Sequence, residues 1–419
     1  MAAIQAARTE ARALRIAVHD FGGYAFASDL SREFARRGHQ VRHLYCSTVT
    51  APRGALVRRP GDAETVEFVA VAHARPFEKY SAPSRIQQEW EYGAAAGRAI
   101  VGFQPDVIVS ANTPLLSQRM LHKAARQASI PFIYWLQDLL GVGIRNVLAR
   151  RSEFVASVVG GRFQKLEERI LSESDAVIAI SDDFRLHLER RGVAPRKTHV
   201  IENWAPLADV TPRDPQGWRR AMGLDSQRIV LYSGTLGHKH DPALLLNLAV
   251  RLRGEPAATV VVASDGLGAR WLADQQRALG LSNLRVIGFQ PYEDLADMLA
   301  AADILLVLLH ADAGVFSVPS KVLTGLSAGR PLVAAVPADN RAAVTIAQAR
   351  AGVVVEPGDS AGFAEAVHQL LNDAQARAAM SAAGRAYAQA HFDIGPVADR
   401  FLSILHGVMR GGYVRRKRT

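Results

Sequence analysis

Two lysines and the small residues around them carry most of the chemistry this chain can offer. Ser233-Gly234-Thr235-Leu236-Gly237-His238-Lys239-His240 combines a pliant loop, a hydroxyl and a cation. A diphosphate asks for that set: backbone donors that approach closely, plus a point charge. Val318-Pro319-Ser320-Lys321 brings a second hydroxyl and a second lysine into the start of a helix that ends at Gly329. Free N–H groups at a helix start suit a phosphate. The first loop lacks the Gly-Lys-Ser/Thr ending of a P-loop, which disfavours nucleotide hydrolysis of that kind.

The first half offers different groups. His19-Asp20-Phe21-Gly22-Gly23 closes a strand. Its glycines allow either a tight turn or the close approach of a ligand. It is not the full Gly-x-Gly-x-x-Gly fingerprint, so a dinucleotide cofactor finds little support. Trp135-Leu136-Gln137-Asp138 closes another strand. Asp138 can orient an acceptor hydroxyl or take its proton, and it can equally cap the next helix. His19 and Asp20 are further candidates to face an acceptor. Asp265, Gly266, Phe289, Ser317, Pro319 and Thr324 lie on loops or helix starts where a base, ribose or sugar can be held. Phe289 suits a core position equally well. His238 and His240 stand two apart without a third ligand nearby, which favours a surface or supporting role over zinc. No Asp-x-Asp pair occurs, so no metal is expected and the lysines and helix N-termini must supply the positive field.

Elements that position these groups follow from the apolar pattern. Short β-branched runs alternate with amphipathic helical stretches, the signal of parallel α/β sheets. The strands expected in the first half are 15–18, 41–45, 107–110, 132–136, 176–180 and 199–201. Asn203-Trp204-Ala205-Pro206, with Pro212 and Pro215, reads as a linker. The pattern then restarts with strands at 229–232, 260–263, 284–287, 304–309, 332–336 and 352–355. Helices are expected at 242–252, 363–371 and 396–408. This predicts a first domain over 1–205, a second over 206–395 and a closing helix with a basic tail over 396–419. Ligands of such sheets bind beyond the carboxyl ends of the strands, so two facing halves predict a cleft between those ends.

Composition narrows the partners. The chain has 419 residues, a net charge of +10 and one cysteine, Cys46. One cysteine excludes an internal disulfide and any cysteine-rich metal site. No apolar run approaches the roughly 20 residues that span a bilayer, and residues 1–12 lack the apolar stretch of a signal peptide. A cytoplasmic protein is expected. The positive balance suits anionic partners: phosphorylated small molecules or an anionic membrane face. The tail Arg415-Arg416-Lys417-Arg418 concentrates charge. So does 147–165, where Arg150, Arg151, Arg162 and Lys165 flank Phe154-Val155 and Val158-Val159. That stretch suits a lipid surface or an interdomain helix. No RNA-binding signature occurs, and nucleic acid is not expected.

Taken in order, these strings resemble the retaining GT-B glycosyltransferases of family four, most closely their colanic-acid-biosynthesis branch. The resemblance rests on Phe21-Gly22-Gly23, Glu167-Glu168, Ser174 to Ser181, Val200 to Pro206, Leu231 to His240, Val318-Pro319-Ser320-Lys321 and Ala328-Gly329-Arg330-Pro331. It implies two Rossmann-like, doubly wound domains facing across a cleft. The nucleotide sugar, UDP- or GDP-linked, would bind the second domain, and a glycan or polyprenyl-diphosphate-linked acceptor the first. It implies retention of configuration and a role in exopolysaccharide or cell-surface polysaccharide synthesis, without a cofactor. By the same resemblance Gly22, Gly23, Gly234, Thr235, Lys239, Ser320 and Lys321 would hold the donor diphosphate. The family's two glutamates before Ala328-Gly329 correspond to Phe316 and Thr324 here, its diphosphate arginine falls at or near Thr235, and the histidine beside Asp138 is Gln137. Lys239 and Lys321 then carry more of the charge. The alternatives are a sugar-nucleotide epimerase and a non-catalytic nucleotide-sugar-binding protein.

Overall fold

The computed structural model describes residues 12–49, 51, 53–72, 75–77, 82–111, 113–255, 257–314 and 317–416. Phe316 and the tail residues Lys417 and Arg418 lie outside them.

The first sheet has seven strands: β1 (Arg15–Asp20), β2 (Gln40–Cys46), β3 (Val66–Val71), β4 (Val107–Ala111), β5 (Phe132–Leu136), β6 (Ala176–Ala179) and β7 (Thr198–Val200), in the order β3-β2-β1-β4-β5-β6-β7. The second has six: β8 (Arg228–Ser233), β9 (Ala258–Ala263), β10 (Leu284–Ile287), β11 (Ile304–Leu308), β12 (Leu332–Ala335) and β13 (Gly352–Val355), in the order β10-β9-β8-β11-β12-β13. Every pairing is parallel. Both sheets reverse direction beside their first strand, between β1 and β4 and between β8 and β11. These switch points open a crevice at the carboxyl ends, where doubly wound sheets take ligands. The chain therefore has the expected architecture: two parallel-sheet α/β domains of the GT-B kind.

Both faces of each sheet are covered, which is why the strands read as unbroken apolar runs rather than alternating ones. Val230 and Tyr232 face one apolar cluster, while Ile229 and Leu231 face the other, as the two-residue period of a strand requires. β3 was not expected. It is an edge strand whose middle residues are only half-buried or exposed, so its apolar signal is weak.

The last helix, Ile394–Arg416, meets the first domain from its first turn, where Arg37 donates to the Gly395 carbonyl at 2.7 Å. Phe401 packs edge-on against Trp135 at 4.9 Å and against Phe34 at 6.3 Å between ring centroids. Trp204 stacks on Trp135 at 5.8 Å and donates its indole N–H to Asp29 at 2.9 Å. The segment expected as a linker is thereby pinned to the first domain. Among the described residues no helix is long and apolar enough to cross a membrane.

Candidate active site

The loop after β8 turns at Gly234, whose φ of +133° suits glycine alone. Its backbone leaves room for Lys321: a Cβ on Gly234 would sit 2.5 Å from Lys321 Cε. The Lys321 ammonium lies 5.1 Å from the centre of the Tyr232 ring, a cation–π contact. Tyr232 is fully buried, and its hydroxyl donates to the Thr235 carbonyl at 3.0 Å. One tyrosine thus supports both the loop and the lysine. Burial, and then the charge of Lys239, pull the Lys321 pKa from 10.5 down to about 8. A half-buried lysine beside a second cation, under a loop of small residues, is a place that gains from an anion.

Lys239 reaches across from the same loop. Its ammonium is 2.9 Å from Asp138 Oδ2 and donates to Ser317 Oγ at 3.1 Å. Ser317 in turn is held by Asn340, which donates its amide N–H to the Ser317 and Gly314 carbonyls, each at 3.0 Å. His240 supports the loop from within. It accepts the Gly237 N–H at 3.3 Å, and burial followed by Lys321 and Lys239 drives its pKa well below the ordinary value. His238 is exposed and gives its carbonyl to Arg150 at 3.3 Å. Among the described residues no group of three or more His, Cys, Asp or Glu side chains gathers to hold a metal.

The loops after β9 and β8 interlock. Leu236 N donates to Ser264 Oγ at 3.1 Å and Gly268 N to the Leu236 carbonyl at 3.1 Å. Asp265 Oδ1 accepts from Gly266 N at 2.7 Å, closing the turn on its own backbone. Pro319 is buried, whereas Ser320 is exposed at the start of the helix Lys321–Ser327. Thr324 is half-buried on that helix, its hydroxyl 3.5 Å from the Ser320 carbonyl. Phe289 is half-buried just beyond β10, at the sheet edge.

Asp138 does not cap the helix that follows it. Leu140 and Gly141 donate their N–H groups to Glu167, both at 2.9 Å. Burial pushes the Glu167 pKa up to about 8, against the pull of those two donors. With Glu167 in the capping place, Asp138 is left at the cleft facing Lys239.

Two expectations in the first domain are corrected. His19 and Asp20 do not face an acceptor: both are fully buried. The His19 ring nitrogens contact Tyr92 at 2.8 Å and Ser110 at 3.0 Å, and burial lowers its pKa to about 3. Asp20 Oδ2 accepts the Tyr24 N–H at 2.5 Å and so fixes the turn. Gly22 and Gly23 are buried too, under the Tyr24 ring and the Leu56 side chain, where Cβ atoms would collide. Tyr24, which the sequence did not single out, lies half-buried with its ring over Gly22. Burial, then the charges of Asp20 and Asp138, raise its pKa. Its one sequence signal is its position directly after Phe21-Gly22-Gly23.

This arrangement joins Lys239 and Lys321 of the second domain with Asp138 of the first. Residues 21–204 match the Glycosyl transferase 4-like domain, and residues 216–387 match Glycosyl transferases group 1. The chain belongs to the family-four glycosyltransferases. It is 29% identical to a D-inositol 3-phosphate glycosyltransferase of Geodermatophilus obscurus over 88% of this chain and 82% of that protein. It is 26% identical to the putative colanic acid biosynthesis glycosyl transferase WcaI of Escherichia coli, over 73% of this chain and 77% of the other. Among solved structures, Anabaena HepE in complex with UDP and glucose superposes with a TM-score of 0.70 at 18% identity, covering 94% of this chain and 100% of that one. The glycosyltransferase assignment agrees with the activity expected of the sequence.

Proposed function

We propose that this glycosyltransferase moves a sugar from a nucleoside-diphosphate sugar to a hydroxyl of a glycan or lipid-linked glycan, with retention, in the building of a surface polysaccharide. The observation that carries the reading is the convergence of Lys239 and Lys321 on the Gly234 loop, opposite Asp138. The sugar C1–phosphate oxygen bond breaks while the acceptor oxygen bonds C1 from the same face. The acceptor's proton passes to the departing phosphate oxygen. The two lysines and the backbone of residues 234–237 neutralise the leaving diphosphate, the role preorganised positive groups play at developing negative charge. On donor binding Lys239 exchanges Asp138 for phosphate, and Asp138 becomes available to orient the acceptor hydroxyl. Asp138 is paired to a lysine, unlike the paired carboxylates of glycosidases. Thr235 and Ser320 offer further donors to the diphosphate, and the Asp265-Gly266 turn, Ser317, Pro319, Thr324 and Phe289 frame the nucleoside and sugar.

HepE, whose structure holds UDP and glucose, supports a uridine donor. The relatives' names point to inositol phosphate and to colanic acid as acceptor chemistries, and we favour the polysaccharide. The test incubates the protein with UDP- and GDP-sugars, with and without inositol phosphate and lipid-linked glycans. Nucleoside diphosphate released only with an acceptor, and a product retaining the donor's anomeric configuration, is the expected result. A donor altered without acceptor would mark an epimerase. Tight binding with no turnover on any acceptor would mark a binding protein.

A further inference from the structure

The helical segment from Ser152 to Glu173 presents two unlike faces. Its inner face packs closely on the helix Leu140–Ala149. A Cβ on Gly160 would lie 2.8 Å from Arg145 Cα, and one on Gly141 would lie 2.8 Å from Gln164 Cα. The outer face leaves four apolar side chains in solvent: Phe154 is 78% exposed, Val155 39%, Val158 38% and Val159 38%. Four apolar side chains gathered on one face call for an explanation in a way that scattered ones do not.

Charge around the patch says what covers it. Arg151 lies on the turn before the segment, and Arg162 and Lys165 follow the apolar residues on the helix Gly161–Glu173, so the apolar centre is flanked by cations at both ends. The one carboxylate between Arg150 and Lys165, Glu153, is already bound to Arg145 at 2.9 Å. Among the described residues Arg151, Arg162 and Lys165 make no ion pair with a carboxylate, and all three are exposed. Apolar side chains between unpaired cations match the two layers of a lipid surface, acyl chains below and anionic headgroups above. Long cationic side chains can lie along the apolar layer and keep their charge among headgroups.

We propose that this face docks on an anionic lipid bilayer, with Phe154 entering the acyl boundary. Arg150, on the turn before the patch, binds Asp312 at 2.6 Å and the His238 carbonyl at 3.3 Å. The docked face therefore lies at the lip of the cleft, and docking sets the cleft opening beside the membrane. The inference stands whichever donor and acceptor the enzyme uses.

Flotation of the full chain with phosphatidylcholine vesicles, with and without phosphatidylglycerol, tests it. The protein should float with the anionic vesicles at low salt and leave them at high salt. Phe154→Ser and the double change Arg162→Glu, Lys165→Glu should each cut the bound fraction about tenfold or more, with unfolding temperature and turnover on a soluble acceptor unchanged. Turnover lost with docking intact would instead count against the transferase reading. Three results would overturn the proposal: no binding to anionic vesicles at low salt, binding that neither variant weakens, or a dimer in sedimentation that Phe154→Ser dissociates. The second result would assign lipid binding to the basic tail, and the third would make the face a contact between copies.

Discussion

Lys321 occupies a place that is unfavourable for a lysine until an anion arrives. Its folded pKa of about 8 lies below the ordinary 10.5. Between those values the unfolded chain holds the proton and the folded chain does not, so stability rises with pH across that window. Below about pH 8 the full penalty of burying the charge is present. Lys321→Met should therefore unfold at a higher temperature than the wild type at neutral pH, yet lose the stabilisation that UDP or GDP gives. In the wild type, diphosphate affinity should fall as pH climbs past about 8, because the free enzyme then loses the proton the anion needs. Thermal unfolding with and without nucleotide, at neutral and alkaline pH, checks both. Gly234→Ala works on the same contact from the other side. Its Cβ would meet Lys321 at 2.5 Å on a backbone with φ +133°. Such a strained position costs about 1–3 kcal/mol, and denaturant unfolding together with nucleotide titration should show stability and diphosphate affinity falling together.

At the scale of elements, the helix Leu140–Ala149 ties Asp138 to the rest of the first domain. Glu167 satisfies two of its N-terminal donors from a helix well away in sequence. Glu167→Ala leaves both N–H groups unpaired in a buried place, a cost of about 1–3 kcal/mol. Turnover should fall with the stability, since Asp138 loses its fixed approach to Lys239. Urea unfolding and steady-state rates measure the two effects. The sequence marked Glu167-Glu168 by resemblance but gave no sign of which carboxylate turns inward. The same limit explains His19 and Asp20. A strand end places a residue at the ligand side of the sheet, but the alternation that buries Val18 does not say whether the next side chains line the crevice or seal beneath it. The second sheet was readable almost to the residue, because strands covered on both faces spell out continuous apolar runs. β3, with its half-exposed middle, did not.

Across the whole molecule, the halves meet through ion pairs as well as packing. Lys239 holds Asp138, Arg150 holds Asp312, and Arg341 holds Glu202 at 2.6 Å. Arg59 and Tyr292 both reach Asp209 at 2.6 Å. The Arg150–Asp312 pair, exposed on both sides, contributes about 0–1 kcal/mol, so it biases the closure of the cleft more than it holds the fold. Arg150→Ala should leave the unfolding temperature nearly unchanged and raise the radius of gyration in nucleotide-free solution scattering. Two domains, their order and their loops were legible in the sequence because local pattern encodes them. The pairing of Asp138 with Lys239 was not, since it depends on how two separately patterned halves face each other.

The central claim is that cations at the mouth of the second domain hold the departing diphosphate. Its most direct test is acceptor-dependent release of nucleoside diphosphate by Lys321→Ala at saturating donor. The account predicts a rate lower by about 100- to 1,000-fold in a normally folded protein. Turnover equal to that of the wild type would contradict it.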